Sequence, residues 1–133
     1  MSYYNFADVV VKLKTGYKGH LSYIKIPKTK FTMKFLFLLE KLGLIRGFFI
    51  LRNENFIKVF LKYINGVPSI YSIDLVSKPG HRVYWTRSFM ASTYNKNAIS
   101  HFYILSTPNG LITSNDVFFF NYLLGEVICK IKI

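Results

Sequence analysis

SIDLVSKPGHRVY, residues 72 to 84, is where the chain changes character. It opens as the end of a strand, PSIYSIDLVS, breaks at SKPG, and resumes as the extended stretch HRVYWT. Pro presets φ and Gly tolerates positive φ, so SKPG reads as a turn between two extended segments. With helix and strand periods alternating before it and mainly strand patterns after it, the stretch marks a boundary between lobes. We place that boundary after residue 75, with an N-terminal α/β lobe over 1–75 and a second lobe over 76–133.

Upstream, the pattern reads αβαββ. Residues 3 to 15 carry Phe6, Val9, Val10, Leu13 and then Tyr17 at the spacing of one apolar helix face, with Lys12 and Lys14 off it and Gly16 as a stop. LSYIKIP, residues 21 to 27, alternates as a strand. Thr29 is placed to cap a helix from Lys30 to Leu42, closed by Gly43, with Phe31, Phe35, Leu38, Leu39 and Leu42 on its inner face. GFFILR (47–52) and NFIKVFLKYI (55–64) read as strands, and Asn65-Gly66 as a hairpin turn. Downstream, residues 87 to 97 are polar and irregular. AISHFYIL is a strand running into the turn STPNG. Thr113 or Ser114 caps a short helix, DVFFFNYLL. EVICKIKI is a closing strand in which Val127, Cys129 and Ile131 alternate with Ile128, Lys130 and Lys132. The expected class is α+β, two-lobed, the second lobe mainly β with a short helix.

Composition narrows the function. The 133 residues are 51% hydrophobic, enough for a folded core, and 18 Lys+Arg against 6 Asp+Glu give a net charge of +12. No acid falls between Asp8 and Glu40 or between Asp74 and Asp116, while Lys12, Lys14, Lys25, Lys30, Lys78 and Arg82 lie in those windows. A small chain so depleted of negative charge implies a polyanionic partner. Catalysis is disfavoured by inventory: the acids are scattered, and no phosphate-binding Gly-rich loop, nucleophile elbow or paired CxxC occurs. Cys129 is the only cysteine, so no intramolecular disulfide forms, and the three histidines lack ligand spacing. No metal or other cofactor is expected. The most apolar stretch, residues 34 to 51, is broken by Lys34, Glu40, Lys41 and Arg46 and is not a spanning helix.

Two short stretches offer RNA chemistry. In SKPGHRVY, Lys78, Arg82 and Tyr84 surround the turn, and Arg82 and Tyr84 share a face if extended, pairing a cation with an aromatic ring. In STPNG, short hydroxyls and a glycine allow close approach of backbone to a ligand, although those residues also make a turn with no ligand at all.

The order and wording of the motifs resemble the family of ribosomal small-subunit protein eight, in its bacterial and organellar form. SIDLVSKPGHRVY is similar to that family's SI-x-x-VS-[RK]-PG-x-R-[IV]-Y. STPNGLIT, residues 106 to 113, is similar to STS-[KR]-G-[VIL]-[ML]-T, and LGEVIC, residues 124 to 129, to GGE-[IV]-[IL]-C. Ala7-Asp8 with the basic residues up to Gly16, Pro27 with Thr29 and Lys30, and Gly43 with Ile45 and Phe48 follow the family's N-terminal motifs in order. The resemblance covers essentially the whole chain. It implies a non-enzymatic two-lobed protein that binds the central domain of small-subunit rRNA and touches neighbouring small-subunit proteins. It implies RNA contacts at Ser106, Thr107, Asn109 and Gly110, at Lys78, Pro79, Gly80, Arg82 and Tyr84, at Glu126, and in the first lobe at Lys12, Lys14, Thr29 and Lys30. The departures are Pro108 for the third hydroxyl, Asn109 for the family's cation, Leu124 for the first Gly of GGE, and Asn5-Phe6 for Asp-Pro. They predict a weaker, less salt-dependent contact at the 106–110 loop.

The richness in Phe, Tyr, Ile, Asn and Lys, together with a start that is neither a signal nor a transit peptide, points to an organelle-encoded chain, mitochondrial before plastid or bacterial cytoplasm. The rival readings are a generic RNA-binding protein or a basic protein of an anionic membrane surface using residues 34 to 51 as an in-plane helix, which Gly43 and Gly47 argue against. A third is a structural subunit whose charge only keeps it in solution.

Overall fold

Apolar residues at helical spacing build the first helix, α1 (Tyr3–Lys18), and the expected stripe is the buried one: Phe6, Val9, Val10, Leu13 and Tyr17 are all inside. The structure, a computed structural model, describes residues 3–50, 55–78, 80–86, 101–107, 110–114 and 124–133. They fall into two compact units, Met1–Tyr71 and Ser72–Ile133. The division comes earlier than the expected 75/76 because strand Ser72–Leu75 pairs with the closing strand of the chain, Asp74 opposite Lys130.

In the first unit α1 is followed by β1 (Tyr23–Pro27), α2 (Lys30–Lys41), β2 (Ile45–Ile50), β3 (Phe56–Leu61) and a two-stranded hairpin, β4 (Tyr63–Ile64) with β5 (Val67–Pro68). The order in the sheet is β1-β3-β2, antiparallel throughout. Ile24, Ile26, Ile57, Val59 and Leu61 are buried on one face of it, and α1 packs on β1 and α2 on β2. α1 runs past Gly16 to Lys18, so Gly16 is no stop. It is buried where a Cβ would lie 2.7 Å from Ile24 Cγ2 and 2.9 Å from Leu61 Cδ1, and it lets helix and sheet approach closely. α2 is capped as expected by Thr29, whose Oγ1 accepts from Thr32 N at 3.0 Å. Its inner face differs: Thr32, Phe35, Leu36 and Leu39 are buried, while Leu42 is 40% exposed. Gly43 (φ 77°) closes it and Asn65-Gly66 (φ 53° and 80°) turns the hairpin, both as the sequence predicts.

Tyr17 ties this unit together. Its hydroxyl donates to Leu44 O at 2.7 Å and accepts from Lys62 N at 3.3 Å, while the Ser69 hydroxyl donates to the same Leu44 carbonyl. Helix, loop and hairpin are thereby joined at one buried point.

The second unit is a sheet in which β10 (Leu124–Lys132) pairs with β6 (Ser72–Leu75), β7 (Tyr84–Thr86) and β8 (His101–Thr107), and β8 pairs with β9 (Gly110–Thr113). The fold is α+β. Thr107 and Gly110 thus pair at the end of a hairpin that continues as a strand: Thr113 lies in β9 opposite Ile104, and Ser114 stays beside Tyr103 through Ser114 N to Tyr103 O at 2.8 Å. The helix expected over DVFFFNYLL and the irregular stretch 87 to 97 lie outside the described residues. The closing strand also departs from strict alternation. Val127 pairs with Leu105 but Cys129 with the adjacent Ile104, so a β-bulge at Ile128 puts Val127 and Cys129 on opposite faces. One face carries Ile73, Phe102, Ile104, Cys129 and Ile131, all buried; the other carries Leu105, Ile112 and Val127 with Val83, Trp85 and Tyr103 against them.

Candidate nucleic-acid interface

Strand register brings three of the expected residues into one row. Glu126 on β10 lies opposite Tyr84 on β7 and opposite Ser106 on β8. Directly paired residues project to the same face of a sheet, so a phenol, a carboxylate and a hydroxyl stand side by side. Tyr84 is exposed, Ser106 half-buried, and Glu126 only 8% exposed. A carboxylate repels phosphate and accepts only from N–H and O–H groups, so this row suits base edges or a ribose hydroxyl, and the tyrosine ring suits stacking.

The basic turn hangs from the same strand. Lys78 and His81 exchange backbone bonds, N to O at 2.9 Å each way, and close a tight loop on which Lys78, Gly80, His81 and Arg82 are exposed. The loop is fixed to β10 by Ser77, a residue the motif reading passed over. Its fully buried hydroxyl donates to Val127 O at 2.6 Å and accepts from Val83 N at 3.0 Å, and Val127 N donates to Val83 O at 2.8 Å. The signal available in the sequence was a small hydroxyl residue directly before a turn, where it can hold backbone. Ser77 positions the cations; it does not itself face outward.

At the hairpin tip, Thr107 and Gly110 pair across the loop, and the Thr107 hydroxyl donates to Gly110 O at 2.9 Å. Thr107 is 9% exposed, and its hydroxyl is engaged inside the turn. Gly110 has φ 116°, a conformation that demands glycine, and the space a Cβ would fill is open. Gly125 is small for a different reason: a Cβ there would press on Leu105 and Thr107 at 3.2 and 3.4 Å. Pro79 and Asn109 lie outside the described residues.

The remaining expected residues belong to the first unit and are not part of this row. Lys12 sits 3.5 Å from Asp8 one helical turn away, Lys14 and Lys30 are exposed, and the Thr29 hydroxyl is engaged in capping α2. Among the described residues no group of His, Cys, Asp and Glu could hold a metal, and no helix is long and apolar enough to cross a membrane. The in-plane helix of the membrane-surface reading does not form either, because α2 ends at Lys41 and β2 begins at Ile45.

The second unit of this basic α+β protein sets polar side chains on a strand row and an exposed turn, an arrangement suited to binding a polyanion. A family model described as Ribosomal protein S8 matches residues 5–131, and the chain belongs to that family. It is not an enzyme. It is 39% identical over 130 residues to the small ribosomal subunit protein uS8 of Rickettsia typhi, 38% to that of Rickettsia canadensis and 37% to that of Rickettsia massiliae, each match covering 96% of both chains.

Proposed function

We propose that this chain is a structural constituent of the small ribosomal subunit, holding the central domain of the small-subunit rRNA through its second unit and supporting subunit assembly and translation. The observation that carries the reading is the row Tyr84–Glu126–Ser106 beside the basic turn at Lys78 and Arg82. Ser106 and Glu126 read bases or riboses, Tyr84 stacks, and Lys78 and Arg82 neutralise phosphates. Gly80 lies on the turn, Thr107 and Gly110 close the hairpin, and Pro79 and Asn109 join them as RNA contacts. Lys12, Lys14 and Lys30 add a basic surface on the first unit, with Thr29 holding the helix start, and neighbouring small-subunit proteins complete the partners. The abundance of Phe, Tyr, Ile, Asn and Lys supports synthesis and work in a mitochondrion, and immunodetection in purified mitochondria tests that part.

The test of function is filter binding to a central-domain fragment of small-subunit rRNA beside a scrambled duplex, at two salt concentrations, with the wild-type chain and Ser106→Ala. Loss of one hydrogen bond, about 1 kcal/mol, weakens the specific complex by roughly fivefold and leaves the scrambled duplex unaffected. Equal, steeply salt-dependent binding of both RNAs by the wild type refutes site-specific recognition.

A further inference from the structure

We propose that the open face of the β1-β3-β2 sheet is a second RNA surface, which takes a single-stranded segment. One face of this sheet is covered by the two helices. On the other, a strand exposed to water would carry polar residues. Here it carries rings: Phe49 is 62% exposed, Phe56 44%, Tyr23 43% and Phe60 37%. Scattered apolar residues on a surface mean little, but the register makes these neighbours. Tyr23 pairs with Phe60, and Phe49 with Lys58.

The charges on this face are as unusual as the rings. Lys25 lies directly opposite Lys58, and like charges so placed repel. None of the three strands contains an acid to relieve them. Lys58 instead lies over aromatic faces, its Nζ 4.0 Å from the Tyr23 ring centre and 5.4 Å from that of Phe60. Beside Phe60, a β-bulge brings Arg46 next to Gly47, which has open space where a side chain would stand, and a shallow groove lined by Arg46, Gly47, Phe48 and Phe60 results.

Paired lysines with no acid on their own sheet strands call for an anion, and exposed rings call for flat apolar faces. Each nucleotide of a single strand supplies both at once: the phosphate for Lys25 and Lys58, the base for a ring. A duplex hides its base faces, so the strand is unpaired. An acidic protein segment meets the lysines but has to supply apolar cover for four rings at the same positions, which makes it the poorer match. This surface lies wholly in the first unit and does not depend on the Tyr84–Glu126–Ser106 row.

The test uses the full chain and a fluorescent oligo(U) of about ten nucleotides, a length within the span of single-strand sites. Phe49→Thr, at the most exposed ring, and the double variant Tyr23→Thr, Phe49→Thr keep strand-forming residues on an outward face. We expect the double variant to bind at least tenfold more weakly with an unchanged melting temperature, and Phe49→Thr alone to show part of that loss should the double variant fold poorly. Lys58→Gln lowers the slope of log K against log salt by about 0.7. Oligo(U) binding equal in wild type and both ring variants overturns the proposal. So does a glutamate-rich, Phe-containing peptide that binds this face more tightly than oligo(U), or self-association in sedimentation that the ring variants abolish, since either assigns the face to protein. Because the central-domain fragment is not used, the outcome is independent of recognition by the second unit.

Discussion

At the scale of single residues, the largest effects are expected from buried polar atoms with no substitute partner. Removing the Ser77 hydroxyl leaves the Val83 N–H and the Val127 carbonyl short of a bond inside the second unit. Ser77→Ala is therefore expected to cost about 1–3 kcal/mol in chemical denaturation and to weaken RNA binding through a loosened basic turn. Ser106→Ala, by contrast, is expected to lower RNA affinity with little change in stability. Cys129 makes a pH prediction. It is fully buried, and burial pushes its thiol far above its ordinary value. The folded chain keeps this proton while an unfolded chain loses it above about pH 8.5, so stability is complete below that pH and falls as pH rises, by up to about 1.4 kcal/mol per unit. Cys129→Ala is expected to lower stability overall but flatten that decline between about pH 8.5 and 10 in denaturant titrations. The sequence alone marked Cys129 as a residue of the closing strand. The role of Ser77 was hidden because its partners, Val83 and Val127, lie on opposite sides of a long chain segment.

At the scale of elements, local signals were legible and choices of face were less so. The Thr29 cap, the Gly43 stop and the Asn65-Gly66 turn depend on a few neighbouring residues, and each stands where the sequence puts it. Thr29→Ala is expected to destabilise the first unit by about 1 kcal/mol, read as a shifted denaturation midpoint. The inner face of α2 was misjudged because an all-round apolar helix offers several stripes, and packing on β2 selected Leu36 over Leu42. Gly16 looked like a stop because glycine often ends helices, yet tertiary approach explains it. Gly16→Ala is expected to overpack the α1–sheet contact and cost about 1–3 kcal/mol. β9 was missed because GLIT is short and follows strong turn residues, and the bulge at Ile128 cannot be seen in an alternation that runs unbroken through the sequence.

At the scale of the whole molecule, charge governs behaviour. A net charge of +12 on 133 residues repels itself until counterions or RNA neutralise it. The free protein is expected to become more stable as monovalent salt rises, and a central-domain rRNA fragment at a hundred times its Kd to add about 2.7 kcal/mol. A melting temperature indifferent to that fragment contradicts both the proposed partner and the electrostatic account. The order of the strands along the chain has its own consequence. β10 is the shared partner of β6, β7 and β8 and follows all of them in sequence. During synthesis the first unit has all its described strands by Tyr71, whereas the second has no common neighbour for its strands until β10 leaves the exit tunnel. Chains interrupted before Leu124 thus carry a foldable first unit and an unformed Tyr84–Glu126–Ser106 row, so commitment to the proposed RNA site waits for synthesis of β10.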